Sequence, residues 1–237
     1  MNGEERRTSP WVYVAVGCSI PVLLIVVLLG AVVFWGRSLQ KHIESDTPEV
    51  RAEKVKQVLG CQEIPEGYHA MMTLSIPFLM DLAILSDKPP DFKNGKNRQA
   101  KPFDQRGFIY VKAIRGRKGK SVQDYINGEA DSSEILGRGK IRAGDLEPIR
   151  RGSFPLGDMT VHYSANRGSL SAQGYPMKGI VTFVYLECPG DKRLRMGIWF
   201  GPESAADKPG QPPDYAGTPA DESEIRSFLS HFSPCSR

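Results

Sequence analysis

The chain has 237 residues, 24% of them charged, and carries a formal net charge of +4. No two of its four cysteines are close, which excludes a zinc site of the C-x-x-C kind. No internal repeat or low-complexity tract is visible beyond a few polar loops, so a repeat array is excluded as well.

Residues 1–10 are a short polar tail, and Trp11 to Trp35 then run without a single charge. As a helix that run measures about 37 Å, enough to cross a hydrocarbon core of about 30 Å with some tilt. A cleavable signal fits badly, because its apolar part is only about 7–15 residues and ends in small side chains. This run is longer and ends in Phe34 and Trp35. Lipidation at Cys18 fits badly too, since the greasiest residues follow that cysteine. Trp11, Tyr13 and Trp35 stand at the two ends, as interfacial aromatics do, and Pro21 is tolerable in lipid. The expectation is a single-pass transmembrane helix over 11–35, in contact with the lipid bilayer.

Arg6 and Arg7 precede this run, whereas Arg37, Lys41, Arg51, Lys54 and Lys56 follow it. Taken alone, that balance places the rest of the chain in the cytoplasm, but the rule weakens for long translocated domains. An inner-membrane anchor with an extracytoplasmic domain is the commoner plan and is the expectation here. Cys61 and Cys235 bracket the folded region, and a bridge between them would suit an oxidising compartment. Separate buried thiols are the alternative.

Residues 36–60 read as a linker with a juxtamembrane helix. Thr47 supplies a cap, Pro48 the first helical position, Glu49 an acid at the positive end and Gly60 a stop. Val50, Val55, Val58 and Leu59 form its apolar side, and it could dock on the domain or act as a stalk.

From Tyr68 the alternation of Tyr68, Ala70, Met72, Leu74 and Ile76 predicts a half-buried strand. Pro77 interrupts it before a second apolar stretch, Phe78 to Leu85. Asp87 to Arg106 reads as a long polar loop, expected to be mobile. Phe108–Arg115 is a third strand, and Ser121 with Asp124 opens a short helix. An irregular stretch extends to about Asp158. Three further strands are predicted over Met159–Ala165, Gly179–Cys188 and Leu194–Gly201, the last two joined by a Pro-Gly hairpin. After a Pro-rich loop, Thr218 and Pro219 begin a helix whose Ile225, Phe228, Leu229 and Phe232 form one apolar stripe.

Residues 61–237 are long enough for one core, and strands with few helical crossovers argue α+β: a mostly antiparallel sheet packed against helices. The element order between Tyr68 and Phe232 resembles that of PsbP-like domains, a likeness of topology. The blocks Arg195–Pro202 and Gly217–Phe232 are similar to those of bacterial membrane-anchored proteins of unassigned activity. That second likeness implies a bacterial setting and no particular chemistry.

Few motifs carry chemistry. The glycine-lysine clusters at Gly116–Lys120 and Gly137–Lys140 lack phosphate-loop spacing. His42, His69, His162 and His231 are scattered, with no metal-ligand spacing, and no G-x-S-x-G elbow accompanies Ser164. No cofactor is implied. Residues 101–151 carry a net +5, concentrated in a basic patch of Lys112, Arg115, Arg117, Lys118 and Lys120. Such a patch attracts anionic headgroups or another anionic envelope component, or is simply a solvated turn. Nucleic acid is not expected, since no recognition element accompanies the charge.

Strand parity puts Leu194, Met196, Ile198 and Phe200 on one face, and Arg195 and Trp199 on the other. If helices cover a single face, the open one displays His69, His162, Arg195 and Trp199 as a binding surface; the alternative is that another helix covers Trp199. The expected function is therefore a membrane-anchored, non-catalytic binding or assembly module at the cell envelope. An enzyme with a dispersed site near His162 is the alternative.

Overall fold

The computed structural model describes residues 47–90, 103–114, 117–129, 141–143, 146–172, 175–203 and 214–235, with backbone alone at 117–121, 141–143, 170, 172 and 175–177. The apolar run 11–35 and Arg115 lie outside the described residues, as does most of the polar loop 87–106. Among the described residues no helix is long and apolar enough to cross a membrane. Residues 47–237 form a compact unit of their own.

Helix α1 spans Pro48–Leu59, capped by the Thr47 side chain at its start and by left-handed Gly60 at its end, as the sequence predicts. Strands β1 (His69–Ile76), β2 (Met80–Ser86) and β3 (Gly107–Ala113) follow, then α2 (Arg117–Asn127). Next come β4 (Ile141–Ala143), β5 (Glu147–Leu156), β6 (Met159–Ala172), β7 (Tyr175–Glu187) and β8 (Leu194–Gly201). The last helix, α3, spans Glu222–Leu229. These are the elements of an α+β fold built on one antiparallel sheet.

The strand order is β1-β2-β3-β8-β7-β6-β4, with β5 also paired to β6. Strand β8 pairs with β3 through Phe108–Trp199 and Tyr110–Gly197, and with β7 through Phe183–Ile198 and Val184–Gly197. Its place in the middle of the sheet buries nearly every residue on both sides.

Both faces are covered, so the condition of a single covered face is not met and α3 lies over Trp199. On the first face α1 and α3 pack Val55, Leu59, Ile225, Phe228 and Leu229 against Leu85, Phe108, Tyr110, Tyr163, Val184 and Trp199. Gly197 makes room there: a Cβ would stand 2.6 Å from the Phe108 ring and from Val184. On the second face α2 lays Val122, Tyr125 and Ile126 over Ile109, Phe183, Tyr185, Ile198 and Phe200. Helix α1 is thus part of the domain core and no stalk, and the compact unit begins before residue 61. Its buried residues are Arg51, Val55 and Leu59, while Val50 is exposed.

The cysteine expectation is also corrected. The bridge joins Cys188 to Cys235, and Cys61 is a buried thiol outside it. Cys188 follows β7 and Cys235 follows α3, so the bridge ties the C-terminal tail to the β7–β8 turn. Arg195, with no exposed surface, reinforces this tie. Its Nε donates to the Pro234 carbonyl at 3.3 Å, and its Nη2 donates to Asp191 at 2.6 Å. That hydrogen bond, with a second from the Arg193 backbone, holds the Asp191 carboxyl below the usual range.

Candidate functional site

Tyr68 sits just before β1, Trp199 near the end of β8, and Phe228 second in the α3 stripe; folding brings the three rings together. Trp199 Nε1–H donates to the Tyr68 hydroxyl at 2.8 Å, and the indole stacks on Phe228 with ring centroids 4.5 Å apart and planes 4° apart. Tyr68 and Phe228 are 5.3 Å apart. Burial pushes the Tyr68 phenol up, so it keeps a proton after accepting from the indole.

These rings floor a cleft of about 430 Å³ between α3 and the start of β1. Its rim carries Glu66, Arg106, Glu224 and His231, so both charge signs face one aromatic floor. The His231 Nδ1 lies 3.1 Å from the Ser227 carbonyl and 3.2 Å from that of Phe228. Carbonyls only accept, so Nδ1 is the donor in both contacts and Nε2 is left to the cleft. Arg106 is set by the base of the loop before β3, where Asp87 accepts from the backbone N–H groups of Asp104, Gln105 and Arg106. The lining thus sets an aromatic surface beside separated side chains of both charge signs.

Of the four residues expected on one surface, Trp199 alone lines this cleft. Arg195 is enclosed by the tail, where it holds structure together. His162 belongs to the opposite face, stacked on Tyr185 at 5.8 Å, with Nε2 3.1 Å from the Glu187 carboxylate. His69 is exposed at the start of β1, paired in register with Ser86. Ser164 is no nucleophile elbow: it is buried beside Asn166, whose Oδ1 accepts from Tyr125 at 2.9 Å and whose Nδ2 donates to the Ser164 and Val181 carbonyls.

In the basic patch, Lys112 is partly buried and 3.8 Å from Asp81. Arg117, Lys118 and Lys120 fall in the first turns of α2, which begins four residues before the predicted Ser121. Two smaller clefts flank Lys112. One, of about 220 Å³, lies between the end of α1 and the tail; the other, of about 270 Å³, lies beside the β1–β2 turn. His162 lines none of the three. Among the described residues no group of three or more His, Cys, Asp or Glu side chains is placed to hold a metal.

Sequence reasoning missed Tyr68, Arg106, Glu224 and His231 as site residues and took Phe228 only as core. The aromatic content at 68 and 228 was visible, but nothing in the sequence joins segments that far apart. Comparison with protein-family models, curated proteins and solved structures finds no match.

Proposed function

We propose that this chain is a single-pass, membrane-anchored binding or assembly module whose aromatic cleft receives a segment of a protein or another envelope component. The observation that carries this reading is the Tyr68–Trp199–Phe228 floor beneath a rim of mixed charge. Tryptophan, tyrosine and arginine are the residue types that supply most interface energy, and here they border a preformed concavity. The apolar run 11–35 supports the anchor, and the PsbP-like likeness stays a matter of topology. The Cys188–Cys235 bridge supports an extracytoplasmic position in a bacterial inner membrane.

The test is site-specific photo-cross-linking in intact cells, with the reactive group at Ser227 on the cleft and, as control, at Lys192 on the far turn. A product from Ser227 that disappears in Arg106→Glu and Glu224→Lys chains of unchanged melting temperature is expected. Equal products from both positions, or none altered by the rim changes, would remove the cleft from consideration. An enzyme near His162 has one observation in its favour, the His162–Glu187 pair. Turnover of a hydrolase or transferase substrate by purified chain, lost in His162→Ala, would establish that reading instead.

A further inference from the structure

The β1–β2 turn holds Pro77, Phe78 and Leu79 between Ile76 and Met80, with the Leu79 N–H donating to the Ile76 carbonyl at 3.0 Å. Proline keeps φ negative at the second position of this turn, and Phe78 at the third has φ of +64°. That is the pattern of a type II turn, whose third position calls for glycine. Phe78 is the one non-glycine residue with positive φ among the described residues. Its ring is 97% exposed, so the folded domain gains no burial in return for the strained backbone. Leu79 and Ile114, linked by a backbone hydrogen bond, are exposed beside it at 53% and 61%. A glycine would satisfy the fold better, so the phenylalanine answers to something outside the domain.

We infer that this apolar tip, Phe78, Leu79 and Ile114, dips into the interface of a bilayer containing anionic lipid. The occupant follows from shape and charge. The tip projects, which suits a deformable apolar medium. The charge beside it is net positive: Arg193 lines the same cleft as Phe78 and Ile114, Lys112 there is paired with Asp81, and exposed Lys192 precedes Arg193 on the β7–β8 turn. Arg115, Arg117, Lys118 and Lys120 follow Ile114 directly in sequence. Exposed apolar side chains with Lys192 and Arg193 beside them match the acyl boundary and its negative headgroups. The tip lies apart from the aromatic cleft and shares with the reading above only the membrane setting.

The experiment uses the full chain with Cys18→Ala and Phe78→Cys, the new thiol carrying a polarity-sensitive fluorophore. The chain is mixed with vesicles of phosphatidylcholine, with and without phosphatidylglycerol, some bearing a shallow nitroxide lipid. A blue shift and nitroxide quenching at position 78 are expected, absent from a control label at Glu203→Cys. Both signals should be lost in the Leu79→Asp, Ile114→Asp chain, which still floats with the vesicles through 11–35 and keeps its circular dichroism. Both should weaken without phosphatidylglycerol or in high salt. A water-like signal at position 78 in a chain that floats would overturn the tip and leave the anchor standing. A chain that fails to float removes the anchor, and the label then decides the tip by itself. A product cross-linked from position 78 to a protein, with no response to lipid, would also overturn it.

Discussion

Among the described residues, two helices, a disulfide and a buried arginine hold the sheet closed on the face carrying Trp199, whereas on the face carrying Phe183 one helix does so with Val122, Tyr125 and Ile126. The first face is rich in ring contacts: Phe228 touches Tyr68, Phe108, Trp199 and Phe232. The second has separate ring pairs, Tyr125 on Phe183 and Phe103 on Phe200, set among aliphatic side chains, with a polar knot of Tyr125, Ser164 and Asn166 at its margin. Among the described residues, the first face carries a cleft lined by its aromatics Tyr68, Trp199 and Phe228. The difference suggests why extra fastening sits there: a face with a concavity has fewer close-packed atoms to hold its covering helix.

If that comparison is right, removing the fastening should cost more than trimming the plain face. Cys235→Ser opens a bridge between residues 47 apart in sequence. The chain-entropy estimate for a loop of that size is about 4 kcal/mol, measurable by denaturant unfolding. Trp199→Ala should cost about 3 kcal/mol, near the low end for a buried aromatic because its edge already borders the cleft. It should abolish cross-linking from Ser227 as well.

Asp191→Asn should cost about 2 kcal/mol at neutral pH, since a charged hydrogen bond to an enclosed arginine is lost. The Asp191 carboxyl is depressed in the folded chain, so its contribution is present above the unfolded carboxylate pKa. It fades as pH falls through the folded value, and the stability curves of wild type and variant should converge in acid. Equal spacing of the two curves at all pH values would contradict this assignment. On the second face Tyr125→Phe removes one buried hydrogen bond to Asn166 and should cost about 1 kcal/mol. His162→Ala breaks a partly solvated pair and should change stability by less than about 1 kcal/mol. A larger loss from Tyr125→Phe than from Cys235→Ser would reverse the ranking of the two faces.

The elements with strong periodicity were legible. Helix α1 appears with its Thr47 and Gly60 caps, β8 with its two-residue alternation, and the α3 stripe buries Ile225, Phe228 and Leu229 as read. The start of α3 shifts because Asp221 caps it, while Thr218 is engaged in the preceding turn with Tyr215 and Ala220. Strand β5 escaped detection: Pro148, Gly152 and Pro155 interrupt it, and Phe154 is its one fully buried side chain. Such a sequence reads as irregular until β6 supplies the ladder. The disulfide partner of Cys235 was illegible because pairing depends on which strand end the tail reaches. The cleft was illegible for a similar reason, since residues 68, 106, 199 and 228 meet only through strand order and the docking of α3.

Gly60 backs so closely onto the Ser233 carbonyl that a Cβ would collide with it. The beginning and the close of this unit are therefore neighbours in space. During synthesis, the hydrophobic surface of β3, and then of β8, has to wait for the final helix and its aromatic side chains to emerge. Whatever escorts the nascent polypeptide must shield Phe108 and Trp199 until that last segment swings back and seals them.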